Sequence, residues 1–249
     1  MSVTIVTAFF DIHRETKGDG RKLDDYIQWI QKTLQLNCNL FIVTESTFVP
    51  LMKRPYPTYI KEDTLENAAY YKYLPQMKEI LESDAYKKRI AYPTRIECIL
   101  PEYNVIQYSK FGWLEEAIRL NPFQTDYFFW MDAGISRFFG DMDITKPYPS
   151  RIPSNKFIIQ KRHDLDHFCM DDLQWKADNL VKGTMFGGHK ESVLCICKKV
   201  EGVFQWMLSQ QNVNNEQIAL ALVYRDSKEL FYIVEDSYTH LQFKHLSIQ

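Results

Sequence analysis

Asp132 closes the apolar run Tyr127-Phe128-Phe129-Trp130-Met131 and is followed at once by Ala133-Gly134. A short apolar run bounded by a turn signal reads as a strand buried on both faces. Ligands of open parallel sheets bind beyond the carboxyl ends of such strands, so this carboxylate stands where an α/β enzyme does its chemistry. Buried alone it would be costly, so it needs a partner, hydrogen bonds or a cation. Capping of the following turn by its own side chain is the plainer alternative. Gly183-Thr184-Met185-Phe186-Gly187-Gly188 reads as a glycine-rich turn whose backbone can come close to a ligand, or that only reverses the chain. Glu216 and Gln217 open a helix that Asn214 can cap, and a carboxylate there also suits the helix dipole. Two literal Asp-x-Asp triplets, Asp141-Met142-Asp143 and Asp164-Leu165-Asp166, end no strongly apolar strand and read as loops.

Elements must position these groups. Residues 2–10 form a β-branched and aromatic run that predicts a first strand. Leu23, Tyr26, Ile27, Ile30 and Leu34 recur at helical spacing, and residues 39–43 supply the next strand through a right-handed crossover. Residues 49–59, with Pro50, Pro55 and Pro57, read as a loop leading to helical segments between 61 and 92 that break near Pro75. A second unit has residues 104–108 as a strand, 112–120 as a helix ended by Asn121-Pro122, and the strand before Asp132. Strands follow at 156–160 and 230–234, with helices carrying the stripe Val193, Cys197, Val200, Phe204 and Leu208 and then running from Asn214 to about Tyr224. Two successive strand-helix-strand units predict an α/β fold, a mostly parallel twisted sheet with helices on both faces.

Bulk properties bound the function. A chain of 249 residues that is 45% hydrophobic can bury one sizeable core, so residues 1–249 read as one domain. A formal charge of −2 without long basic runs argues against nucleic acid as partner. No window reaches the roughly 18 apolar residues of a spanning helix, so the expectation is a cytoplasmic protein whose membrane contact, if any, is peripheral. Five cysteines, an odd number, argue against a disulfide framework, and Cys195-Ile196-Cys197 lacks zinc-knuckle spacing. An aromatic share of 14% leaves rings over for a groove that grips planar or sugar rings.

The order of these features resembles the GT-A class of nucleotide-sugar-dependent glycosyltransferases. More closely, TAFFDIHR (Thr7 to Arg14), YFFWMDAGISR (Tyr127 to Arg137) and GTMFGG (Gly183 to Gly188) resemble the HtrL/YibB family, bacterial proteins associated with surface-polysaccharide loci and read as glycosyltransferases. The resemblance implies a GT-A-like domain that moves a sugar from a nucleotide donor, UDP-sugars favoured, to a glycan acceptor. By that resemblance Asp132 binds a divalent cation, Mn²⁺ or Mg²⁺, with Gly134 in place of a second carboxylate and His240, or His245, as a late ligand. Thr7, Ala8 and Phe9 would meet the base, with Phe9 or Phe10 stacking. Arg14, Lys110 and Arg137 would neutralise phosphates, and Gly187 and Gly188 would admit the sugar or diphosphate. Asp164 and Asp166 would contact the acceptor. Glu216 or Gln217 would lie under the anomeric carbon, as in retaining enzymes. Nucleotidyl transfer is disfavoured because no Gly-rich, Lys/Arg-bearing loop follows the first strand. A nonenzymatic carbohydrate- or nucleotide-binding protein is the alternative, and it predicts no dependence on Asp132.

Overall fold

In a computed structural model, residues 3–140, 153, 155–176 and 180–234 are described. The strands are β1 (Val3–Phe9), β2 (Asn39–Thr44), β3 (Thr58–Glu62), β4 (Tyr127–Met131), β5 (Phe157–Gln160), β6 (Met185–His189) and β7 (Phe231–Val234). The helices are α1 (Arg14–Lys17), α2 (Leu23–Thr33), α3 (Leu74–Glu82), α4 (Asp84–Arg89), α5 (Pro101–Leu120), α6 (Met170–Trp175), α7 (Lys190–Ser209) and α8 (Glu216–Asp226). All seven strands form one sheet in the order β3-β2-β1-β4-β6-β5-β7. β3, β2, β1 and β4 are mutually parallel, whereas β6 runs antiparallel to both β4 and β5.

The chain builds β1, β2 and β3 outward in one direction, then returns through α5 to lay β4 on the other side of β1. Such a reversal opens a crevice beyond the carboxyl ends of the two strands that flank it. Alternation along those strands sends side chains to two cores. Val6, Phe128 and Trp130 pack with residues of α3, α5, α7 and α8 on one face. Ile5, Phe129 and Met131 pack on the other with Ile30 of α2 and with Ala133 and Ile135 of the 3₁₀ turn Ala133–Phe138. Helices therefore cover both faces, as expected from the sequence, and β4 is apolar throughout because it is buried on both.

Four sequence expectations are corrected. Residues 104–108 are not a strand but the second turn of α5, which Pro101 opens. This helix lies between the sheet and α3, α7 and α8, so it is apolar on more than one side and loses the one-sided stripe that marks a surface helix. Residues 58–62, expected as the end of the loop and the start of a helical segment, form the edge strand β3, with Pro57 just before it, where a missing N–H costs no ladder bond. Pro75 does not break a helix but sits in the first turn of α3. Of the glycine-rich segment only Gly183 and Thr184 are a turn; from Met185 on it is β6, inserted between β4 and β5. A Cβ on Gly187 would lie 2.1 Å from the Phe128 carbonyl oxygen, and one on Gly188 would lie 2.3 Å from that of Lys156. Both glycines are thus required by close backbone approach within the sheet.

Candidate active site

Beyond the ends of β1 and β4 lies a cleft of about 300 Å³. Its floor is Ala8, Trp130 and Asp132; one wall is the stretch from Phe10 through the start of α1 to Thr16, another the residues Leu23 and Tyr26 of α2. A third wall comes from α5, where Tyr103, Ile106, Gln107 and Lys110 recur at i, i+3, i+4 and i+7 and so project from one side of the helix.

Lys110 is the centre of the floor. Its side chain is 1% exposed, and its ammonium donates to Glu216 Oε1 at 2.7 Å and to the Gly183 carbonyl at 3.0 Å while lying 3.0 Å from Asp132 Oδ1. Three donors thus meet three acceptors. Trp130 Nε1 also donates to Asp132 Oδ1 at 2.7 Å, so that oxygen is doubly held. Asp132 keeps 28% of its side chain exposed to the cleft, and its Oδ2 takes no hydrogen bond among the described residues. Glu216, in contrast, is fully buried behind Lys110, and its Oε2 has no partner among the described residues. Gly183 makes room for it, since a Cβ there would fall 1.9 Å from Glu216 Oε1.

The electrostatics follow from one cation facing two carboxylates. Burial pushes the Glu216 carboxyl up to about 7; the attraction of Lys110 opposes this, and the repulsion of Asp132 adds to it. Burial works against the Lys110 ammonium, but Asp132 and Glu216 outweigh it and hold its pKa above the ordinary value. Lysine therefore stays charged, and the proton that can leave near neutral pH belongs to Glu216.

Three arginines line the rest of the cleft: Arg14, Arg21 and Arg137. Arg14 is committed, bonded through Nη2 to Asp19 at 2.5 Å and through Nη1 to the Tyr26 hydroxyl at 2.5 Å, with Tyr103 beneath its guanidinium at 4.9 Å. Arg21 reaches Asp19 only at 3.9 Å. Arg137 rests on the Trp29 ring at 5.0 Å and has no ion pair within 4 Å among the described residues. Partial burial and the neighbouring Arg21 draw its pKa below the ordinary arginine value. Four cations, Arg14, Arg21, Lys110 and Arg137, thus share the cleft with the carboxylates of Asp11, Glu15 and Asp132.

Of the residues singled out in the sequence, the structure brings Ala8, Phe9, Arg14, Lys110, Asp132, Gly134 and Arg137 to this cleft. Thr7 is fully buried in the sheet, and Gly187 and Gly188 lie inside β6 away from the cleft. Phe9 is mostly core, edge-on to Phe48 at 4.9 Å, while Phe10 stacks on Trp113 at 5.4 Å and lines the cleft. Gln217 lines a separate small hollow with Tyr92 and Arg95. Asp164 and Asp166 lie outside the cleft, where His167 and Lys228 pair with them. Asp141, Asp143, His240 and His245 lie outside the described residues. Four further lining residues, Arg21, Tyr26, Tyr103 and Gln107, were not legible as site residues in the sequence. The last two share a stripe with Lys110 that becomes visible only once 101–120 is read as one helix.

Among the described residues no three His, Cys, Asp or Glu side chains converge. Asp132 has one oxygen to give, and hard cations want several oxygen ligands. A side chain at position 134 would crowd Trp29, since a Cβ there would be 3.1 Å from Trp29 Cε3 and the ring would have to give by a few tenths of an ångström.

A model of the family described as bacterial protein of unknown function (HtrL_YibB) matches residues 1–244. The chain belongs to the HtrL/YibB family. A comparison with curated proteins yields no relative. Among solved structures, the HtrL/YibB chain resembles the crystal structure of mouse xyloside xylosyltransferase 1 in its apo form at 10% identity, covering 94% of this chain and 85% of that one with a TM-score of 0.44. A likeness that loose bears no weight on function. No helix among the described residues is long and apolar enough to cross a membrane.

Proposed function

We propose that this HtrL/YibB protein is a glycosyltransferase that takes its sugar from a nucleotide donor, with the diphosphate held in the cleft between β1 and β4. The observation that carries this reading is the strand-end Asp132, fixed by Trp130 and Lys110, facing a cleft lined by Arg14, Arg21 and Arg137. Transfer breaks the bond between the anomeric carbon and the diphosphate, so negative charge grows on the leaving oxygen. Cations fixed before the reaction stabilise that charge without reorganising, and such stabilisation is commonly the largest catalytic contribution. Asp132 Oδ2 is placed to accept a hydroxyl of the donor, and Phe10, Tyr26 and Tyr103 offer faces on which a base or sugar ring can rest. Glu216, being fully buried, acts by holding Lys110 rather than by attacking the sugar. A UDP-sugar as donor and a growing glycan as acceptor complete the proposal.

The test is a calorimetric screen of UDP, GDP, CMP and common sugar nucleotides against wild type and Asp132→Asn. Saturable binding of one base is expected in the wild type. The variant should stay folded and lose donor turnover by about 10²-fold or more, the size seen when one preorganised polar group is removed. A folded wild type that binds none of these ligands would refute the reading and leave a binding role for another molecule.

A further inference from the structure

We infer that the Lys110 ammonium takes the place beside Asp132 that a divalent cation would otherwise occupy and that Arg21 and Arg137 bring the positive charge to the diphosphate, so that donor binding by this protein is metal-independent. The inference rests on the donor reading above and deepens it. Its first support is position. The Lys110 ammonium lies 2.7 Å from Glu216 Oε1 and 3.0 Å from Asp132 Oδ1, the point between two carboxylates that a bridging cation would take. It is locked there by the Gly183 carbonyl at 3.0 Å and by burial that leaves 1% of the side chain exposed. Any metal bound to Asp132 would share that carboxylate with a fixed ammonium, and like charges so close repel.

The second support is steric. An Asp-x-Asp element needs a carboxylate at position 134, where the Trp29 ring stands 3.1 Å from the place a Cβ would occupy. The packing of α2 against the 3₁₀ turn therefore disfavours a side chain there, because the Trp29 ring would have to give way. The third support is charge. Arg137 has no carboxylate within 4 Å among the described residues; Arg21 has Asp19 at 3.9 Å and donates one N–H to the Tyr26 hydroxyl at 3.3 Å, which leaves its other donors for an anion. Arginine matches phosphate oxygens with two parallel donors and needs no metal to do so.

Titration calorimetry with UDP and GDP, on wild type freed of metal by EDTA and again with excess Mn²⁺, tests this. Affinities that agree within about threefold in the two media support the inference. Tightening by Mn²⁺ of about tenfold or more overturns it while leaving the donor reading intact. Absence of binding in both media overturns the donor reading and the inference together. Arg137→Gln, at an exposed residue, should weaken nucleoside-diphosphate binding about tenfold in EDTA and in Mn²⁺ alike; unchanged affinity counts against it. Lys110→Met leaves Asp132 and Glu216 without their cation, so the folded variant should take up Mn²⁺, read as loss of the free-ion paramagnetic resonance signal. A folded variant that takes up none overturns the claim that lysine stands in the cation's place, and if the variant does not fold, the wild-type comparison decides alone.

Discussion

Replacing Glu216 by Gln should make the protein more stable at neutral pH, not less. The side chain has no exposed surface, and glutamine keeps its shape and the Oε1 acceptor for Lys110. What it removes is a charge that burial opposes. The folded-state pKa is raised from 4.5 to about 7, so the folded protein binds this proton more tightly than the unfolded chain does. Stability from that proton is complete below the unfolded value and falls as pH rises toward the folded one. At about 1.4 kcal/mol per pH unit, the interval from 4.5 to about 7 amounts to roughly 3 kcal/mol by pH 8. The attraction of Lys110 is already contained in that figure, because it opposes the burial cost. The glutamine amide resembles the protonated acid at every pH, so the Glu216→Gln variant escapes the loss. Urea unfolding followed by tryptophan fluorescence at about pH 5 and about pH 8 reads the effect. The stability difference between variant and wild type should grow by roughly 2–3 kcal/mol across that range in the variant's favour. A difference that does not change with pH, or a variant that is weaker at pH 8, would refute the claim that Glu216 is a strained buried acid. The expected result would also mean that the wild type retains a destabilising carboxylate, as sites kept for function often do.

Gly183→Ala puts a Cβ 1.9 Å from Glu216 Oε1, so the carboxylate must leave Lys110; a loss of about 1–3 kcal/mol is expected in urea unfolding, with a weakened pH dependence. Gly187→Ala sets a Cβ 2.1 Å from the Phe128 carbonyl oxygen, which belongs to backbone and cannot step aside, so cooperative unfolding should be lost altogether. Gly202→Ala is the contrasting case: it lies in α7 with nothing within 4 Å of the added Cβ, and a gain of about 0.5–1 kcal/mol is expected by the same assay.

The sequence alone determined the elements whose burial is simple. β4 was legible because a strand buried on both faces is apolar without interruption, and β1 because its residues are almost all β-branched or aromatic, Thr4 and Thr7 included. α2 and α7 were legible because each buries one side, which leaves a periodic stripe. Asp132 was legible because an acid ending an apolar strand breaks the pattern. Elements with partners on two sides were not. α5 hides its period between the sheet and three helices, and the glycines of β6 imitate a turn although the close approach of neighbouring strands is what requires them. The site's chemistry was decided by tertiary structure. Lys110 meets Glu216 across 106 residues and Gly183 across 73, and only the placing of β4 beside β1, with β6 beyond it, brings them together. Local pattern reports how much of a residue is buried; which charge it is buried against depends on the order of the strands.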